Sequence, residues 1–280
     1  MVGKKKAPIV SVKVMSFNIA HGLGMDGTVD LERTASVIED SCAGIVALQE
    51  VDRFFSERSS FVDQVDWLSK RLGMEAVFGA NLDLDPSESE RSRRQFGNAI
   101  LSKYPIKYVE NHLLRQVATP FGHNEQRGIL EAVIDLQGTH ISVFNTHLAF
   151  KDEELEVSVN ELLKLTERRK FPRIIAGDFN AAPEHTQIKK IRKQFTDSFL
   201  HMRRGDAYTY PSYFYEEVTA EQTKPVTRID YIFSDDELDA VQTAVMNTDA
   251  SDHLPVLADF ILQNAKIRPD QQTASELQKV

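Results

Sequence analysis

Apolar residues recur at every second position over residues 9–19, where Val10, Val12 and Val14 alternate with Ser11, Lys13 and Met15. That period predicts a strand with one face turned to a core. Short apolar runs at 45–48, 98–102, 129–136, 141–147, 174–176, 229–233, 241–246 and 256–262 predict further strands. Helical spacing falls between some of them. Asp30 can cap a helix with Leu31, Ala35 and Ile38 on one face. Residues 61–72 place Val65, Leu68 and Leu72 together, and Gly73 ends the pattern. Residues 153–169 carry Leu155, Leu162 and Leu165, and Pro183 opens a helix with Ile188, Ile191 and Phe195. Loops are expected at 81–95 and 203–228, and hairpin-like neighbours at 98–109 and 129–147. Many strands with interspersed helices predict a layered α/β protein with mixed sheets. Neither an internal repeat nor a linker divides the chain. One domain over 8–263 is expected, with flexible tails at 1–7 and 264–280.

Composition narrows the class. Of 280 residues, 41% are hydrophobic and 27% charged, enough for a sizeable core. With 13 Gly, 10 Pro and a single Cys, a collagen-like, disordered or disulfide-framework chain is excluded. Cys42, next to an apolar strand, reads as a buried, inert thiol. No apolar stretch reaches membrane-spanning length, and none of signal-peptide length follows the basic start, so a cytoplasmic protein is expected. The formal net charge of −9 argues against a long nucleic-acid footprint and leaves room for a short one. The basic clusters at 4–6, 91–94, 168–170 and 189–193 read mostly as solvated surface.

The chemistry lies in what stands at the strand ends. One strand ends in Asn18, another in Glu50 and another in His147. Asp178 and Asn180 follow Ala176-Gly177, Asp230 sits in the strand after Arg228, and Ser251-Asp252-His253 precedes the last strand. Polar groups at the edge of an apolar sheet need partners, and a shared cleft supplies them. Carboxylates and amide oxygens are hard ligands suited to Mg²⁺ or Mn²⁺, and no cysteine cluster favours zinc. A hard cation beside a base and an imidazole fits phosphoester hydrolysis.

This set resembles the endonuclease/exonuclease/phosphatase superfamily, which includes DNase I, the exonuclease III type of AP endonuclease, neutral sphingomyelinases and inositol-polyphosphate 5-phosphatases. The resemblance runs in the family's order from Phe17-Asn18 to Ser251-Asp252-His253 and Pro255, supported by Phe96-Gly97-Asn98 and Arg127-Gly128. It implies a four-layer α/β sandwich, DNase I-like, with two packed mixed sheets and the site at one end. It also implies a Mg²⁺- or Mn²⁺-dependent hydrolase that uses metal-assisted in-line attack of water. Glu50 is then the principal metal ligand, helped by Asn18, with Asp252 available for a second ion. Asp178 and Asn180 face the scissile phosphate. His253, oriented by Asp230, is general base or charge stabiliser, and Asp178 is the other candidate base. His147 donates to a phosphoryl or leaving oxygen. Arg127 can reach a phosphate, and Asn145 is substrate-binding or supporting. His21 and Arg53 fall just past two ligands and suit the rim.

The substrate stays open between nucleic acid, a lipid headgroup and a small phosphate ester. A nuclease would use the arginines at 91–94 as a clamp. The aromatic run Tyr208, Tyr210, Tyr213, Phe214 and Tyr215 reads as a stacking platform, a lipid-facing lip or plain loop packing. A binding module on the same fold that has lost turnover is the non-enzymatic alternative; the filled acid, base and ligand positions speak against it. No obligate protein partner is indicated.

Overall fold

In the computed structural model, residues 10–86, 92–119, 122–204, 207–212, 215–216, 221–222 and 225–262 are described. The alternating segments pair into two six-stranded sheets. In chain order the strands are β1 (Ser11–Asn18), β2 (Ile45–Arg53), β3 (Glu75–Leu84), β4 (Arg94–Ser102), β5 (Ile106–Leu113), β6 (Ala118–Thr119), β7 (Gly122–His123) and β8 (Gly128–Leu136). They continue with β9 (Thr139–His147), β10 (Arg173–Asp178), β11 (Thr196–Asp197), β12 (Tyr215–Glu216), β13 (Glu221–Gln222), β14 (Asp230–Ser234), β15 (Leu238–Val245) and β16 (Val256–Leu262). The helices are α1 (Leu31–Ser41), α2 (Gln64–Leu72), α3 (Asp152–Thr166), α4 (Thr186–Ile191) and α5 (Ser198–His201).

The first sheet is ordered β15-β16-β1-β2-β4-β3 and the second β11-β14-β10-β9-β8-β5. Both are mixed: β1 with β2 and β9 with β10 are parallel, while their other neighbours are antiparallel. Inner faces meet each other. Val12, Val14, Ile45 and Ala47 of the first sheet share a core with Ala132, Val143, Ile174, Ala176 and Ile232 of the second. Outer faces are covered by helices. Met15, Phe17, Val46 and Leu48 pack with Ala35 and Ile38 of α1 and Val65 and Leu68 of α2. Phe144, Ile175, Tyr231 and Phe233 pack with Leu155, Val159 and Leu162 of α3 and Ile188 and Ile191 of α4. The layers therefore run α/β/β/α, the expected sandwich. Covered on both faces, the central strands are apolar on both, which is why strict alternation is weak in them.

Several expectations need correction. The loop expected at 81–95 is shorter than predicted, because β3 runs to Leu84 and β4 begins at Arg94. Segment 129–147 is a hairpin of β8 and β9, but 98–109 is not: β4 and β5 belong to different sheets. Between them the Ser102 hydroxyl accepts from the Tyr104 N–H (3.0 Å) and donates to the Tyr104 carbonyl (2.8 Å), turning the chain away from its own sheet. Helix α2 starts later than predicted. Phe61 is left-handed (φ 52°), and Asp63 caps the helix by accepting from the Asp66 N–H at 3.1 Å. Cys42 is exposed rather than buried, in the left-handed position (φ 56°) that closes α1. Arg169, in an expected surface cluster, is buried against Glu131. The tails expected at 1–7 and 264–280 lie outside the described residues. No described helix is long and apolar enough to cross a membrane.

Candidate active site

Strand periodicity delivers the side chains. On β1 the inward series Val12, Val14 and Ser16 ends at Asn18. On β9 the series Ile141, Val143 and Asn145 ends at His147, and on β10 Ile174 and Ala176 lead to Asp178. Asp230 opens β14 two residues before inward-facing Ile232, and it pairs directly with Asp178. All four therefore sit at the same end of the seam between the sheets. Ser16, Gln49 and Asn145 form a buried polar layer below them.

Glu50 arrives differently. It does not end β2, which runs on to Arg53. By alternation it would share the outward face of Val46 and Leu48. The ladder to β4 slips between Leu48 and Val51, and Glu50 adopts φ 58°. This bulge returns Val51 to the outer core and turns Glu50 into the cleft.

The groups then converge. The Asn18 amide donates to Glu50 Oε1 at 3.0 Å and to Asp178 Oδ2 at 3.1 Å. Asp178 Oδ1 accepts from the Asn180 N–H at 2.9 Å. His253 Nδ1 is 3.0 Å from Asp230 Oδ2, and its Nε2 is 3.7 Å from Asp178 Oδ2. His147 Nδ1 lies 3.1 Å from Arg127 Nη1, and its Nε2 lies 3.4 Å from Asp178 Oδ2. Asn180 Nδ2 stands 3.0 Å from the same Nε2 and donates to the Leu148 carbonyl at 3.0 Å. Ser251 donates to the Asn18 carbonyl at 2.7 Å, which ties the 251–253 turn to β1. Gly177 is required for the approach of β10 to β9: a Cβ there would lie 2.0 Å from the Thr146 carbonyl oxygen.

Charge is concentrated and incompletely balanced. Burial pushes the Asp178 carboxyl up to about 7; the Asp230 charge adds to this, and His253 opposes it. Burial likewise raises Glu50, against the Asn18 hydrogen bond. Burial alone would lower His253, but Asp230 and Asp178 outweigh it and lift the imidazole to about 10. His147 is held neutral by burial, Arg127 and His253.

A hard divalent cation fits this donor set. Glu50, Asp178 and Asp252 offer carboxylate oxygens, and the buried Asp230 Oδ1 has no partner among the described residues. The Asn18 amide oxygen instead accepts from the Ala20 N–H at 3.1 Å, so Asn18 orients the two acids through its NH2 rather than serving as the expected ligand. Asp178, Asp230 and His253 also place ligand atoms within 4.8 Å of one another. Because Asp230 Oδ2 already holds His253 Nδ1, these three suit an orienting triad better than a cage.

Other expected residues fall elsewhere. Asn145 does not face the cleft. It is 0% exposed, donates to the carbonyls of Leu48 and Ala99 (both 2.8 Å) and accepts from Gln49 Nε2 at 2.7 Å, so it ties the sheets together. A substrate contact is corrected to a supporting one. Arg53 is committed to Asp63 at 2.8 Å and does not serve the rim. Arg93 is bound to Asp83 and Asp85, and Arg94 to the Asp85 carbonyl, while residue 91 lies outside the described residues. That disfavours a clamp. In the aromatic run, Tyr210 packs on His253 with centroids 4.7 Å apart. Tyr208 is exposed, and Tyr213, Phe214 and the side chain of Tyr215 lie outside the described residues. Sequence reasoning missed Ser251 and the Gln49 layer, whose roles depend on contacts between distant strands.

Comparison with known proteins agrees with this fold. Residues 15–253 match the family model described as Endonuclease/Exonuclease/phosphatase family. The uncharacterized protein YbhP of Escherichia coli K12 is 25% identical over 267 residues, covering 90% of this chain and 97% of that one. Among solved structures, an endonuclease/exonuclease/phosphatase from Beutenbergia cavernae superposes with TM-score 0.72 and 24% identity, covering 92% of this chain and 73% of that one. The Bacteroides thetaiotaomicron mannosyl-6-phosphatase Bt3783 gives 0.66 and 16%, covering 89% and 99%. The match over most of the chain, from the strand before Asn18 to His253, makes this protein a member of the endonuclease/exonuclease/phosphatase family.

Proposed function

We propose that the chain is a Mg²⁺- or Mn²⁺-dependent hydrolase of phosphate esters, acting by in-line attack of water on phosphorus without a covalent enzyme intermediate. The carrying observation is the Asn18 amide shared between Glu50 and Asp178, with the His253–Asp230 pair beside it. Glu50 would hold the cation, oriented by the Asn18 amide, with Asp252 to assist. When bound, the ion offsets phosphoryl charge as the transition state forms.

The chain's own groups have separable tasks. Asp178, poised at about 7, is matched to accept the proton of the attacking water. The Asn180 N–H fixes its orientation through Oδ1. His253 is held as an imidazolium whose Nε2–H faces the cleft, so it donates to charge developing on phosphoryl oxygen. Asp230 fixes that orientation. Neutral His147 lies beside Asp178, with Arg127 and Asn180 holding its ring.

A small phosphate ester is favoured over a long nucleic acid. The net charge of −9, the engaged Arg93 and Arg94, and the likeness to a sugar-phosphate phosphatase support that preference. The test is a panel of sugar phosphates, nucleotides, aryl phosphodiesters, phospholipids, plasmid DNA and abasic oligonucleotide, in EDTA and after metal add-back. Turnover restored by Mg²⁺ or Mn²⁺ and reduced about a thousandfold or more in Glu50→Ala and His253→Ala is expected. Near-wild-type turnover in either variant overturns the reading.

A further inference from the structure

A second cationic feature stands at the mouth of the cleft, outside the hydrolytic set. Arg58 follows β2 in a short turn. Its Nε and Nη2 donate to the two carboxylate oxygens of Asp52 at 2.9 and 2.7 Å. Asp52 is fully buried and also accepts from the Ser59 hydroxyl at 2.7 Å. The guanidinium faces Phe55 and Phe96, with its carbon 4.5 and 5.2 Å from their ring centroids. One edge and the faces are thus fixed, and the side chain is still 38% exposed. Nη1 makes no hydrogen bond among the described residues.

His21 stands beside it on the same scaffold. The buried Gln64 side chain accepts from the Asp52 N–H at 3.0 Å and donates to the His21 carbonyl at 2.7 Å, locking the two segments together. His21 Nδ1 is buried without a partner among the described residues. Burial and the Arg58 charge hold its imidazole below the usual range. The field of Arg58 also reaches Glu50 and Glu125. Glu125 in turn pairs at 2.6 Å with Arg127, the cation that supports His147.

A fixed guanidinium with a free N–H and aromatic walls suits a tetrahedral oxyanion. The scissile phosphate already has His147, His253 and a cation. The cleft is otherwise acidic, so a second phosphate would be repelled unless a cation were fixed where it sits.

We propose that Arg58, beside His21, forms a subsite for a second phosphoryl group of the substrate, so that the preferred substrates carry two phosphates. Asp52, Gln64, Phe55 and Phe96 are positioning residues. This rests on the phosphoesterase reading for its place in a reaction, but the binding itself can be measured without turnover. The second phosphate could belong to a nucleotide or to a sugar, and paired ligands separate those sources.

Calorimetric titrations of the full chain compare thymidine 3′,5′-bisphosphate with thymidine 5′-monophosphate, and fructose 1,6-bisphosphate with fructose 6-phosphate. In at least one pair the bisphosphate should bind about tenfold tighter, and Arg58→Gln should bring that ratio close to one. The double variant Arg58→Gln with Asp52→Asn keeps the pair neutral and hydrogen-bonded, and should lose the ratio with an unchanged melting temperature. For esters that turn over, the loss should appear in KM rather than kcat. A ratio near one in the wild type for both pairs, or one that survives in both variants, overturns the subsite. Tight bisphosphate binding without hydrolysis of any ester would instead leave the subsite standing and remove the phosphoesterase reading.

Discussion

Two carboxylates buried in the same sheet are treated in opposite ways. Asp197 on β11 receives both terminal nitrogens of the buried Arg228, each at 2.8 Å, and Arg192 Nη2 at 2.7 Å. It also caps α5 through the N–H groups of Phe199 and Leu200. Burial would raise its carboxyl, but the two guanidinium groups prevail and hold it low. Asp178, one strand beyond β14, is equally buried, yet it receives an amide, a backbone N–H and imidazoles only. Its carboxyl rises to about 7. The same framework can neutralise a buried acid completely. At the cleft it stops short, and the residual charge is available to a cation and a reacting water.

Substituting each acid is the sharpest way to break this contrast. Asp178→Asn should lower kcat/KM by about a thousandfold or more, while the melting temperature in EDTA holds or rises because an uncompensated buried charge is gone. A clear fall in melting temperature would make Asp178 structural like Asp197. Asp197→Ala should do the reverse. It strands two guanidinium groups and should cost about 3–5 kcal/mol in urea unfolding, with activity per folded molecule unchanged.

The pH dependence sharpens the comparison, because the signs oppose. The Asp197 carboxyl is depressed, so its stabilisation is present above its unfolded value of 3.8 and is lost as pH falls. The Asp178 carboxyl is raised from 3.8 to about 7 and the His253 imidazole from 6.5 to about 10, so both bind more protons when folded. Their stabilisation is fully present below the unfolded values and fades as pH rises, from about 4 to 7 for Asp178 and from 6.5 to 10 for His253. Urea unfolding in EDTA should therefore show stability falling between pH 5 and about 9, and Asp178→Asn should flatten the lower half. Stability that climbs across this range would contradict the assigned charges. A smaller effect belongs to the layer below: Asn145→Ala should cost about 1–3 kcal/mol by leaving the Gln49 amide and two carbonyls without partners, with a modest change in kcat.

Much of this was legible from the chain because a period of two carries a residue's facing along with its position. Val12, Val14 and Ser16 place Asn18 inward, and Ile174 with Ala176 does the same for Asp178. What escaped depends on interruptions and on distant partners. Nothing in the local sequence announces the slip that turns Glu50 around. The separation of β4 from β5 rests on a three-residue turn that could have closed a hairpin. Asn145 resembled a contact residue because it stands two positions before His147, yet its amide meets Leu48 and Ala99, 97 and 46 residues away. Cys42 misled for a related reason: it follows α1 at the point where the backbone turns left-handed, which puts the thiol outside.

The division of the site between the sheets carries a mechanical consequence. Asn18 and Glu50 ride on the first sheet, and His147, Asp178 and Asp230 on the second. Each sheet alone presents half of this cluster. Sliding one past the other by about an ångström would unmake the reacting geometry without unfolding either. On the proposed reading, hydrolysis is a gauge of alignment between two slabs, and a ligand or variant that shears them would silence the protein from a distance while leaving its spectroscopic signature of folded structure intact.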